Sequence, residues 1–165
     1  MQDGLVTAMG VAARGGEPLE ARDEVELLAG RGIRGDRYAE ATGTFSRLPD
    51  PKQQLTLIAA EDLAEARAET GLDFGELDSR RNLVVSGMTR PLDRNLGMRF
   101  HAGEAIIEIV SPCPPCGWLD RCGPKGLHEA LKNRGGIYAV VVEGGRLSVG
   151  DTLRPVEGSK PRRLP

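Results

Sequence analysis

Cys113 and Cys116 enclose two prolines in the segment Ser111-Pro-Cys-Pro-Pro-Cys-Gly117, directly after the apolar run Ala105 to Val110. A thiol at a strand end, in a loop stiffened by proline, is placed to act as a ligand or nucleophile. Thiolates are soft donors suited to thiophilic metals and to sulfur transfer. Four readings of the pair stand side by side. A zinc site would recruit Cys122 and His128, although the second half lacks a compact ligand pair. A redox pair would open a helix in a βαβ setting, and no helix is expected before about Gly126. The pair can also be incidental buried cysteine, or one reactive or metal-binding thiolate with a neighbour.

A cation beside a thiol favours the ionised form. Arg34, Arg37, Arg81 and Lys52 lie in glycine-bearing or loop segments. Each taken alone is a solvated charge; together they make an anion site, because arginine matches phosphate bidentately. Arg81-Asn82 precedes the buried run Leu83-Val-Val85, and the Asn82 amide offers a donor and an acceptor. The competing reading is a strand-start charge and a turn amide. His101 is expected in a hairpin turn, and His128 on a helix surface. Gly30 to Gly35 has the glycines of a dinucleotide fingerprint but no helix is expected after it, and the Walker loop, the nucleophile elbow and the zincin motif are missing from the sequence.

These residues need a scaffold. The chain has 165 residues, enough for one core without disulfides or structural metal. Its net charge of -2 gives no bulk attraction to nucleic acid or membrane, and 4% aromatic residues make a poor base-stacking platform. Three cysteines, no apolar run near membrane-spanning length and no leader-like start predict a cytoplasmic chain with reduced thiols. Strands are predicted over 5–12, 25–28, 54–58, 83–85 and 152–154. Hairpins are expected from 98–100 with 105–110, and from 137–142 with 146–149. Helices are predicted over 60–69, ended at Gly71, and over 126–133. Residues 38–52 read as a long loop. The pattern fits a mainly β, α+β fold: an antiparallel barrel, closed or partly closed, with helices at its rim. It forms a single domain over 1–156, with a flexible basic tail over 157–165.

In order along the chain stand Gly32-Ile-Arg-Gly-Asp-Arg37, Gln54-Leu-Thr-Leu-Ile58 before a helix, Arg81-Asn-Leu-Val-Val-Ser-Gly87, Cys113-Pro-Pro-Cys116, Gly136-Ile-Tyr-Ala-Val140 and Val149-Gly-Asp151. This succession resembles the MOSC domain, named for the C-terminal domain of molybdenum cofactor sulfurase, over about Val6 to Arg154. The resemblance implies a β-barrel with a cysteine in its ligand pocket. It makes Cys116 the thiolate that ligates molybdenum of a pyranopterin cofactor or carries sulfur, with Cys113 as supporting thiol. It gives Arg81 and Asn82, and more loosely Arg34, Asp36 and Lys52, to the cofactor. The implied activity is reduction of N-hydroxylated substrates with an external electron donor. The alternatives are sulfur transfer fed by a cysteine desulfurase, and a non-enzymatic cofactor-binding or zinc-stapled barrel. No pyridoxal phosphate is expected on this chain. An exposed barrel edge is compatible with a homodimer.

Overall fold

The fold is that of a computed structural model, which describes residues 3–43 and 50–163. Eleven strands are present among them: β1 (Gly4–Val11), β2 (Glu20–Ala21), β3 (Glu24–Leu28), β4 (Gly32–Ile33), β5 (Leu55–Ala59), β6 (Leu83–Ser86), β7 (Arg99–Ala102), β8 (Ala105–Pro112), β9 (Ile137–Glu143), β10 (Gly145–Ser148) and β11 (Thr152–Pro155). Three α-helices accompany them: α1 (Ala60–Thr70), α2 (Trp118–Cys122) and α3 (Leu127–Ala130).

Seven strands form a ring in the order β11-β7-β8-β9-β5-β6-β1, and β1 pairs back to β11 to close it. Direction cannot alternate all the way round a ring of seven, so an odd number of neighbouring pairs must be parallel. Here that pair is β5 with β6, and the other six are antiparallel. A parallel pair needs a long crossover, which α1 and the loop after it supply. The barrel is therefore mixed, with one βαβ unit inside an otherwise antiparallel ring.

Alternation along the strands builds two cores. Leu55, Leu57 and Ala59 of β5 and Leu83 and Val85 of β6 point into the barrel. Ile58 and Val84, on the opposite face, pack with Leu63 and Ala66 of α1 and with Leu119, Leu127 and Leu131. Both faces of β5 are thus buried, the usual consequence of covering a sheet with helices. Helix α1 ends at Gly71, whose N–H donates to Arg67 O at 2.9 Å.

Several local readings change. β9 and β10 are consecutive but do not pair. β10 instead pairs antiparallel with β3 from Gly145–Leu27 to Ser148–Glu24, which buries Leu147 with Val25 and Leu27. His101 lies within β7, exposed, and the turn falls after Ala102. Helix α2 begins two residues after Cys116, where none was expected. The predicted 38–52 loop is described only in part; residues 44–49 lie outside the described residues. The described part of the tail follows β7: Arg99 N–H donates to Ser159 Oγ at 2.6 Å and Arg162 N–H to Leu96 O at 2.6 Å. Among the described residues no helix is long and apolar enough to cross a membrane.

Candidate functional site

Antiparallel pairing brings the end of β1 beside the start of β6, and the end of β8 beside the start of β9. The connecting segments meet at this end of the barrel. They line a pocket with about 70 Å³ of interior space, or about 550 Å³ with its open mouth included. Cys113 and Cys116, the guanidinium-bearing Arg37, Arg80 and Arg81, and the aromatic Tyr38, Trp118 and Tyr138 all border it. The whole chain has two tyrosines and one tryptophan, so every one of them is gathered here.

The thiol loop owes its shape to its prolines. A residue preceding proline is pushed towards extended backbone, and proline fixes its own φ. Residues 113–116 accordingly run without a turn or bend. An extended polyproline path repeats every three residues. Cys113 and Cys116 therefore share one face and border the pocket, while Pro112 and Pro115 border a second cavity of about 430 Å³ on the other side. Pro114, at the border, touches both. Cys113 is 3% exposed, whereas Cys116 is open to solvent.

Arg81 fastens this loop. Its Nε donates to Gly135 O at 2.6 Å, Nη2 to Cys113 O at 3.1 Å and Nη1 to Ser79 O at 3.4 Å. Cys113 N–H donates to Gly136 O at 2.9 Å, completing a clamp between the thiol loop and the segment before β9. Gly135 and Gly136 permit the approach. A Cβ on Gly135 would lie 2.5 Å from Pro115 Cδ and 2.7 Å from Cys113 O, and one on Gly136 would lie 2.2 Å from Leu57 O. Gly136 also has φ +97°, a conformation side chains resist.

Arg37 is held by Asp36, Nη1 to Oδ1 at 3.1 Å, donates through Nη2 to Arg80 O at 3.1 Å, and stacks on Tyr38 at 4.4 Å from the ring centre. Arg80 has φ +60° and donates from Nη1 to Glu17 O at 2.5 Å. Arg80 ends the single 3-10 turn Glu76–Ser79 in this left-handed conformation ahead of β6, and consecutive Arg80 and Arg81 both border the pocket. Burial, then the charge of Arg37, lowers the Arg80 pKa from its ordinary value. Among the described residues, Asp36 is the one carboxylate hydrogen-bonded to these three guanidiniums. Tyr138 pairs across the sheet with Ser111 and borders the pocket together with Cys113. Burial pushes its hydroxyl well above the usual phenol range, with the Cys113 charge as the next cause.

The structure brings Cys113, Cys116, Arg37 and Arg81 to one pocket, whereas Asn82, Asp36, Arg34 and Lys52 do not border it. Asn82 is fully buried behind the pocket. Its Oδ1 accepts from the Thr56 backbone N–H at 3.2 Å and hydroxyl at 3.0 Å, and its Nδ2 donates to Gly10 O at 3.1 Å. Asp36 is equally buried; besides pairing Arg37 it accepts the Ala12 N–H at 3.0 Å. Arg34 pairs with Glu26 at 2.8 Å on the surface, which raises the Arg34 pKa and lowers that of Glu26. Lys52 is exposed, and neither it nor Arg34 borders the pocket. Arg80, Tyr38, Tyr138 and Trp118 escaped sequence reading, although Arg80 adjoins Arg81 and Tyr138 lies inside a quoted motif. Among the described residues no three His, Cys, Asp or Glu side chains come together as a metal set. The four-ligand set of Cys113, Cys116, Cys122 and His128 is therefore not assembled.

A family model described as MOSC domain matches residues 44–154. The chain belongs to the MOSC domain family. A comparison with curated protein sequences gave no match. Among solved structures, YuaD from Bacillus subtilis superposes with a TM-score of 0.72 at 18% identity, covering 93% of this chain and 97% of that one. YiiM from Geobacillus stearothermophilus gives 0.70 at 19% identity, covering 96% of this MOSC chain and 79% of that one. YiiM from Escherichia coli gives 0.63 at 24% identity, covering 95% and 70%. At these identities the likeness establishes the barrel fold alone.

Proposed function

We propose that this MOSC protein binds a molybdenum pyranopterin cofactor through Cys116 and reduces N-hydroxylated substrates with electrons from an external donor. The carrying observation is the composition of one pocket. It joins an exposed thiol to three guanidiniums with a single carboxylate among them. A cationic wall of three guanidiniums and one bonded carboxylate, beside a soft donor, suits a ligand that is both anionic and thiophilic. The pyranopterin cofactor has both properties, in its phosphate and its metal. The interior space suits a metal with small ligands, and a ring system would occupy the wider mouth.

When bound, the cofactor supplies the two-electron redox chemistry, and the protein supplies ligand, orientation and charge. Cys116 is the metal ligand. Arg80 and Arg37 face the anionic part. Arg81, with its guanidinium spent on carbonyls, fixes the thiol loop. Tyr138, kept neutral by burial, is a hydrogen-bond donor beside Cys113. A second reading draws on the presence of two thiols at one pocket: Cys116 as a persulfide carrier loaded by a cysteine desulfurase.

The test is to produce the full chain in a host that makes the cofactor, then measure molybdenum and released fluorescent pterin. Near-stoichiometric metal is expected in wild type, falling at least about tenfold in Cys116→Ser with the fold intact by circular dichroism. Full metal content in Cys116→Ser rules out the ligand assignment. A persulfide mass on Cys116 without bound molybdenum favours the sulfur-carrier reading.

A further inference from the structure

The thiol loop carries a consequence that does not depend on any metal. Residues 113–116 run without turn or bend, and three steps of a polyproline-like path, each rising about 3.1 Å, set the end Cα atoms about 9 Å apart. A disulfide needs Cα atoms within about 7 Å. Both ends are fastened against the necessary bend. Cys113 is held by Gly136 O and by Arg81, and Cys116 O accepts the Leu119 N–H at 3.0 Å at the entry to α2. The two thiols thus face one pocket without being able to join. An ordinary Cys-x-x-Cys pair clears a mixed disulfide by attack from its second thiol, and here that route is closed. The pocket also discriminates by charge, since Arg37, Arg80 and Arg81 border it and Asp36 is the one carboxylate bonded to them among the described residues.

We propose that Cys116 is a modification site for a small anionic thiol of the glutathione class, and that Pro114-Pro115 makes the resulting mixed disulfide persistent. The reaction is thiol–disulfide exchange with the oxidised form of that thiol, RSSR. The Cys116 thiolate attacks one sulfur of RSSR. The S–S bond of RSSR breaks as the Cys116–SR bond forms. RS⁻ leaves and takes up the proton that Cys116 gave up. The Cys116 sulfur is oxidised to the disulfide level, the leaving R–S sulfur is reduced by the same amount, the transferred R–S sulfur keeps its oxidation state, and no further oxidant is needed.

The experiment uses reduced full chain made in a host unable to synthesise the pyranopterin, so that its outcome is separate from metal binding. The protein is incubated with oxidised glutathione or with cystamine, a cationic disulfide, and followed by intact mass and peptide mapping. One glutathione adduct on Cys116 is expected, stable after the excess disulfide is removed. It should form about fivefold or more faster than the cystamine adduct, with the gap narrowing at high salt. In Pro114→Gly/Pro115→Gly the adduct should give way to a Cys113–Cys116 disulfide. The wild-type measurement decides alone if that variant fails to fold. The proposal is overturned by no adduct, by an adduct on Cys113 or Cys122, by release of glutathione through an internal disulfide in wild type, or by cystamine reacting as fast.

Discussion

At the residue scale, Arg81 and Asn82 show how neighbours of similar promise take different work. Arg81 reaches the pocket but gives its N–H groups to Gly135, Ser79 and Cys113 carbonyls, so its first effect is on loop geometry. Asn82 faces away and knits β1, β5 and β6 together through Gly10 and Thr56. Asn82→Ala would leave the Thr56 N–H and the Gly10 carbonyl without this partner in a buried setting, at a cost of about 3 kcal/mol. Denaturant unfolding should show that loss, while the folded fraction keeps wild-type metal loading. Unchanged stability with lost loading would instead return Asn82 to the cofactor. The chemistry-bearing residues next to it were legible only in part. Cys113, Cys116 and Arg81 stand out by type and spacing, whereas Arg80 is aimed by a left-handed backbone that side-chain pattern does not announce.

At the element scale, the site depends on two segments that touch, the thiol loop after β8 and the Gly135-Gly136 pair before β9. Two adjacent glycines serve different neighbours, which separates fold from site. A Cβ on Gly136 meets the Leu57 carbonyl of β5 in a backbone conformation already strained for side chains, so Gly136→Ala should cost about 3 kcal/mol or more. A Cβ on Gly135 meets Pro115 and the Cys113 carbonyl, so Gly135→Ala should move the thiol loop. Thermal unfolding and thiol-reagent kinetics on both variants check this. Gly136→Ala is expected to lose mainly melting temperature. Gly135→Ala is expected to change Cys116 reactivity several-fold with a smaller loss of melting temperature. The reverse pattern would mean that the thiol loop is not held by this contact.

At the scale of the whole molecule, closure of the ring is what brings chain-distant segments to one end. β11 is the closing strand, hydrogen-bonded to both β7 and β1. Ending the chain after Gly150 removes it and leaves two unpaired strand edges, a recognised route to aggregation. That form should be insoluble or run as large species in size-exclusion chromatography. Ending the chain after Val156 keeps β11 and removes the tail contacts of Ser159 with Arg99 and of Arg162 with Leu96 and Glu108. It should stay soluble, with a modest drop in melting temperature.

The sequence by itself determined the strand-rich character of the chain, most strand positions, α1 with its stop at Gly71, and the thiol pair as centre of interest. Those features are local: alternation, turn residues and the stiffness of proline act within a few residues. The tertiary structure alone decided pairing partners. It sent β10 to β3 rather than β9, made β5 and β6 the parallel pair that an odd ring requires, and drew the two tyrosines and the tryptophan to the thiols. It also removed Arg34 and Lys52 from the pocket and turned Asp36 and Asn82 into buried supports. Which loops meet at a barrel end follows from ring order and register, and these are set by contacts between residues far apart in the chain.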